Sequence, residues 1–244
     1  MKRLFVLGLF AVTVTACSAT ATPTGPPGPA IPSPSEAPSS PSARPTSSPT
    51  PSPAPTLEGE RQTYTTESFA VSFILPAGWA RETEEENIIG LTGPNGTIDI
   101  ETIDAAIDPT NPTGREPANI GPTVDDFVTW LREHPHLEST VPFPVKAAGH
   151  SGQQLDLALK FVGTYEPRRM CGSARCLAVV RVTETSTQAD HILLVEGQRD
   201  RFIVLDVDGL RMQLDVYPKQ VDDFEAFTNE AQPVIDALAI DRVP

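Results

Sequence analysis

The sequence is short of the residues that build catalytic and cofactor sites. Its 244 residues hold only 3 cysteines, 3 methionines, 2 tryptophans and 4 histidines. Three cysteines cannot staple a disulfide-dense scaffold. Cys17 stands alone near the start, while Cys171 and Cys176 lie close together, a usage that suits an oxidising compartment with one small bridge between the later pair. Positive charge is also scarce. From Leu57 onward, 15 Lys+Arg face 31 Asp+Glu, a net charge of −16. Such a surface repels phosphate backbones, which removes nucleic acid from the expected partners. The apolar run from Leu4 to Val14 falls well short of the ~20 residues a spanning helix needs.

Proline, by contrast, is abundant: 26 in all, 13 of them between Ser18 and Thr56, where nearly every other residue is Ser, Thr, Ala or Gly and only Glu36 and Arg44 carry charge. That segment cannot bury a core, and repeated X-Pro steps favour polyproline II, so it reads as a disordered stalk or spacer. Ahead of it, Lys2 and Arg3 precede the apolar run in the order of a secretory signal. The run closes on Val14-Thr15-Ala16-Cys17, which resembles the bacterial lipobox. The resemblance implies cleavage before Cys17, acylation of its sulfur, palmitate included, and a protein anchored by lipid to the cell membrane, facing outward into the envelope. Two or three acyl chains, at roughly 0.8 kcal/mol per buried methylene, make such an anchor stable. The expected organisation is therefore a signal peptide over 1–17, a linker over 18–56 and one globular domain over 57–244.

Within that domain, Phe69, Val71, Phe73 and Leu75 alternate with smaller or polar residues and stop at Pro76-Ala77-Gly78-Trp79. Strands are predicted over 87–92 and 97–103, with Ile98 and Ile100 inward, Asp99 and Glu101 outward, and Asn95-Gly96 supplying a positive φ to the hairpin between them. Thr123 and Asp126 form a capping-box-like pair ahead of a helix that ends at His134-Pro135. After a segment over 141–148, a turn is placed at Gly149-His150-Ser151-Gly152. Further strands are predicted over 155–161, 177–183, 191–196, 202–207 and 211–217, and a last helix over about 221–239, kinked or broken at Pro233. Strands mostly adjacent in sequence, with two separated helices, define an α+β fold: an antiparallel sheet of about seven or eight strands with helices packed on it.

Several constellations are weak on spacing. His134 and His136, with Glu133 and Glu138 nearby, flank a proline at a helix end and read as a solvated terminus, so no metal is expected. Gly149-His150-Ser151-Gly152-Gln153 misses the last glycine of a nucleophile elbow and sits between strands. His191 opens an apolar strand as an edge residue. Asp104 and Asp108, and Asp206 and Asp208 ahead of Gly209, lack calcium-loop spacing. The run from Asp104 to Pro122, rich in proline and glycine, reads as a contact loop or a disordered one. Arg168, Arg169 and Arg175 crowd the Cys171–Cys176 loop in an acidic domain and form a candidate binding patch, with simple neutralisation of nearby carboxylates as the alternative.

A short strand closing on Pro76-Ala77-Gly78-Trp79, then a hairpin, a helix, a strand meander and a C-terminal helix resembles the Mog1/PsbP-like α/β/α sandwich, found in secreted actinobacterial lipoproteins of the LpqN type. The resemblance implies a scaffold for binding proteins and a structural role for Trp79. The expected function is that of a lipid-anchored envelope module, monomeric and without a cofactor, that binds an unknown protein or envelope component and is not an enzyme. The alternatives are a carrier of a lipid or small apolar ligand, and a hydrolase with a dispersed active site.

Overall fold

The computed structural model describes residues 59–85, 88–109, 117–160, 169–171, 174–181 and 191–243. Residues 1–58, Cys17 among them, lie outside these. The chain forms β1 (Gln62–Thr65), β2 (Phe69–Phe73), β3 (Ala80–Glu85), β4 (Ile88–Thr92), β5 (Gly96–Thr102) and β6 (Ala105–Ala106), then α1 (Val124–Glu133). Next come β7 (Leu137–Ser139), β8 (Phe143–Ala147), β9 (His150–Leu159), β10 (Arg169–Cys171), β11 (Ala174–Arg181) and β12 (His191–Val195). The last stretch forms β13 (Arg199–Val207), β14 (Leu210–Pro218), α2 (Phe224–Asp236) and β15 (Ala239–Arg242).

Eight strands make the main antiparallel sheet in the order β3-β4-β5-β14-β13-β9-β7, with β8 also pairing β9. This is the α+β sheet the alternation pattern called for. One of its faces carries Ile98, Ile100, Ile203, Leu205, Leu214 and Val216 into a core closed by Phe227, Ala231, Val234 and Ile235 of α2 and by Phe69, Val71 and Ile240. The other face carries Leu155, Leu157, Phe202 and Val204 into a second core, closed by Phe127, Val128 and Leu131 of α1 and by Leu177, Val179 and Leu194. Two smaller sheets, β1-β2-β15 and β10-β11-β12 with β6 on β11, were not legible as separate units.

Four local expectations are corrected. Neither Asn95 nor Gly96 has a positive φ; the glycines of this hairpin answer to close packing instead. A Cβ on Gly96 would lie 2.5 Å from the Phe227 ring, and one on Gly93 2.6 Å from the Trp79 ring. The turn before β9 is Ala148-Gly149, with φ of 52° and 90°, and His150, Ser151 and Gly152 already belong to the strand. The last helix begins with a 3-10 turn over Val221–Asp223 and then runs unbroken through Pro233 to Asp236. An interior proline costs about 3 kcal/mol, and burial of five neighbouring side chains, Phe224, Phe227, Ala231, Val234 and Ile235, outweighs it. Finally, His134 is not a solvated terminus: it is 4% exposed, edge-on to Trp130 with ring centroids 5.1 Å apart.

Candidate functional site

Helix α1 starts where it does because Thr123 caps it. The Thr123 hydroxyl accepts from the Asp126 amide at 3.1 Å, and the Asp126 carboxylate accepts from the Thr123 amide at 3.1 Å and from its hydroxyl at 2.6 Å. Those bonds to Thr123 hold the Asp126 carboxyl below its usual range. The box fixes the first turn beside β9, where the Gln153 amide donates to the Asp125 carboxylate. Between this turn and the β8–β9 edge lies an open cleft of about 500 Å³, walled by Thr123, Asp125, Pro144, Ser151, Gln153 and Asp206. On its far side, the Asp206 carboxylate accepts from the Gly209 amide at 2.7 Å, inside a turn whose Asp208 and Gly209 both have positive φ. The cleft is thus negatively charged and held by rigid turns.

Past the cleft, β7 and β8 both pair with β9 and form the border of the sheet. Pro144 faces Gln153 across the ladder and Phe143 faces Gln154. Val141, 78% exposed, and Phe143, 49% exposed, stand two residues apart at this border, two of the three large apolar side chains left exposed among the described residues. Sequence reading missed them because an apolar residue in a strand pattern reads as core; only the proline beside Phe143 hinted at an edge.

The residues predicted from sequence fall as follows. Cys17 and Arg168 lie outside the described residues, and Arg169 and Cys171 have a placed backbone, in β10, without a described side chain. Cys176 is 1% exposed and disulfide-bonded. Arg175 makes a two-pronged contact with Glu196, Nε to Oε2 at 2.8 Å, and the hydrogen bond from Arg175 strengthens the Glu196 acid. Arg181 likewise pairs with Asp104 at 2.7 Å. His150 and Ser151 do not converge: the His150 Nε2 bonds the Ile240 carbonyl at 2.8 Å, while Ser151 lines the cleft. Of the run from Asp104 to Pro122, residues 110–116 lie outside the described residues. Its ends are tied down by β6 on β11 and by the Ala118 amide bonding the Ala106 carbonyl at 2.8 Å.

One further prediction is corrected. Glu101, expected to face solvent, is 2% exposed. Alternation on β5 is as expected, but the face opposite Ile98 and Ile100 is covered toward its Glu101 end by the layer containing α1 and β11, while Asp99 stays half-buried.

No known protein family and no curated protein matches the sequence. Among solved structures, the chain is similar to the solution structure of PsbP (CyanoP) from the cyanobacterium Synechocystis sp. PCC 6803, with 10% identity and a TM-score of 0.36 over 79% of this chain and 99% of that one. At that identity and score no activity, partner or residue role passes from one protein to the other.

Proposed function

We propose that the chain is an envelope lipoprotein, anchored through acylated Cys17, whose folded domain binds a partner protein along the β8 edge. The observation that carries the binding reading is the pairing of exposed Val141 and Phe143 with the acid-walled cleft next to them. Exposed large apolar side chains at a polar-rimmed border mark contact surfaces. The carboxylates of Asp125 and Asp206 select a basic partner segment. Pro144 removes a backbone donor and Lys146 guards the edge, so the partner contacts side chains here more than it extends the ladder.

The test is crosslinking in intact cells with the full chain against a V141D/F143D variant. Unchanged capture of every partner by a correctly folded variant would overturn the edge as the contact. The anchor is tested separately: Cys17→Ser abolishes labelling by a palmitate analogue and releases the protein from the membrane fraction, and labelling that persists in that variant would overturn it.

A further inference from the structure

Among the described residues, three carboxylic acids, Glu101, Asp200 and Asp215, are buried side by side with no cation paired to them. Strands β5, β14 and β13 are neighbours, with Gln213 opposite Glu101 and Asp215 opposite Asp99 in one ladder and Phe202 opposite Asp215 in the other. Because side chains alternate along a strand, Glu101, Gln213, Asp215 and Asp200 share the face that sends Phe202 and Val204 into the smaller core. Glu101 is 2% exposed, Asp200 1%, Asp215 4% and Gln213 0%. Among the described residues, the Oδ1 atoms of Asp200 and Asp215 and the Oε1 of Gln213 have no hydrogen-bond partner. Polar contacts within this patch include Gln213 Nε2 to Glu101 Oε1 at 3.5 Å, the Gln198 side chain on Asp200, and the Tyr217 hydroxyl on Asp99 at 2.9 Å.

The charged groups of the elements around the patch are engaged elsewhere. On β11, Arg175 holds Glu196 and Arg181 holds Asp104. On β14, the Arg211 guanidinium lies over the Phe127 ring and bonds the Gly121 carbonyl. On β13, Arg201 pairs with Asp156, and both Arg199 and Arg201 lie over the Phe224 ring. Arg132 and Glu133 of α1 are exposed, and His134 packs on Trp130. Among the described residues, the charged groups that act on Glu101 and Asp215 are all further acids.

Buried carboxylates this close cannot all ionise, since each charge lacks solvation and repels the next. We propose that the cluster is a proton-controlled latch: with the three carboxyls protonated the α1 and β11–β12 layer seats on the main sheet, and when they ionise that layer loosens and uncovers the apolar face of Leu155, Leu157, Phe202 and Val204. The direction follows from the cluster's surroundings. Burial pushes Glu101 and Asp215 well above the ordinary carboxyl range, the latter raised further by Asp200, Glu101 and Asp99, and burial lifts Asp200 to about 7. Groups raised on folding favour the closed form below their unfolded values and lose that contribution as pH climbs through the folded ones. The latch therefore holds in acid and slackens progressively as pH rises from the ordinary carboxyl range through neutrality, with Asp200 completing its share near 7.

The test is amide hydrogen exchange on the full chain at pH values from about 5.5 to about 8.5, corrected for intrinsic exchange, with opening expected to rise by up to roughly tenfold per pH unit for each group titrated. Protection in α1, β11 and β12 should fall with rising pH while β2, β15 and α2 stay protected. The E101Q/D215N variant, which fixes neutral groups in place, should hold its protection across the range. Should that variant misfold, Asp200→Asn alone is expected to move the onset of opening to higher pH. Protection independent of pH in the wild type, loss spread equally over both cores, or an unchanged profile in a folded variant would each overturn the latch.

Discussion

Trp79 stacks on Phe227, ring centroids 6.1 Å apart and 18° from parallel, joining the start of β3 to the first turn of α2. Gly93 and Gly96 bound this stack, and they differ in what blocks a methyl group there. At Gly93 the obstacle is the Trp79 ring alone; at Gly96 it is the Phe227 ring and, also at 2.5 Å, the Tyr217 carbonyl of β14. A half-buried ring can tilt, whereas a carbonyl inside a ladder cannot. Overpacking costs about 1–3 kcal/mol, and Gly96→Ala is expected near the top of that range with Gly93→Ala near the bottom. Urea unfolding of both variants checks the ranking, and a larger loss at Gly93 would contradict it.

The capping box at Thr123 sets the geometry of the cleft as well as the start of α1. Thr123→Ala is expected to cost about 1 kcal/mol and, by releasing Asp126, to leave the first turn frayed. Because the Thr123 bonds keep the folded Asp126 below its unfolded value of 3.8, their contribution is present above that value and disappears as pH falls through the folded one. Thermal melts of wild type and variant should thus converge toward low pH. A constant gap between them would show that the hydroxyl acts through the bond it accepts from the Asp126 amide and through packing, not through the Asp126 carboxylate.

Burial lowers the imidazole of His134 from 6.5 to about 4, with a smaller push from His136. Its Nδ1 accepts from the His136 amide at 3.2 Å, which places the proton on Nε2, and that buried atom has no hydrogen-bond partner among the described residues. A base depressed on folding stabilises fully above its unfolded value, and the contribution drains away as pH drops from 6.5 toward 4. In a proton NMR titration His134 should remain neutral at pH values where a model imidazole is half protonated. Half-protonation near 6.5 would mean that the ring is hydrated and that its contact with Trp130 is loose.

The sequence is readable where one face of a strand meets water and opaque where neither does. Phe69 to Phe73 and Leu155 to Leu159 stand out by alternation, and Asp208-Gly209 by turn chemistry, so the main sheet and both helices are legible. β15 is hidden because Ala239 and Ile240 continue the apolar spacing of α2, and only tertiary pairing with Val71 turns them into a strand. Glu101 and Asp215 are hidden for the opposite reason: acid residues at alternate positions imitate a solvated face, and nothing local shows that a second layer covers them. At the candidate site, Thr123 and Asp126 are legible as a cap, whereas the exposure of Phe143 depends on which strand happens to end the sheet.

The turn between β8 and β9 sets two backbone effects against each other. Ala148 has φ 52° and Gly149 φ 90°, and a Cβ built on Gly149 meets nothing within 4 Å. Any loss in Gly149→Ala must therefore come from backbone strain alone, about 1–2 kcal/mol for a left-handed residue with a Cβ. Ala148 already carries that strain, so Ala148→Gly relieves it. The relief is opposed by a lost buried methyl of about 0.8 kcal/mol, since Ala148 is 5% exposed, and by the wider freedom of glycine in the unfolded chain, roughly 0.5–1 kcal/mol. The terms nearly cancel, so Ala148→Gly is expected to lie within about 1 kcal/mol of wild type while Gly149→Ala is clearly destabilised. Denaturant midpoints for the two variants decide it. A harmless Gly149→Ala would mean the turn can adopt another type, and with it the register that places Phe143 at the edge.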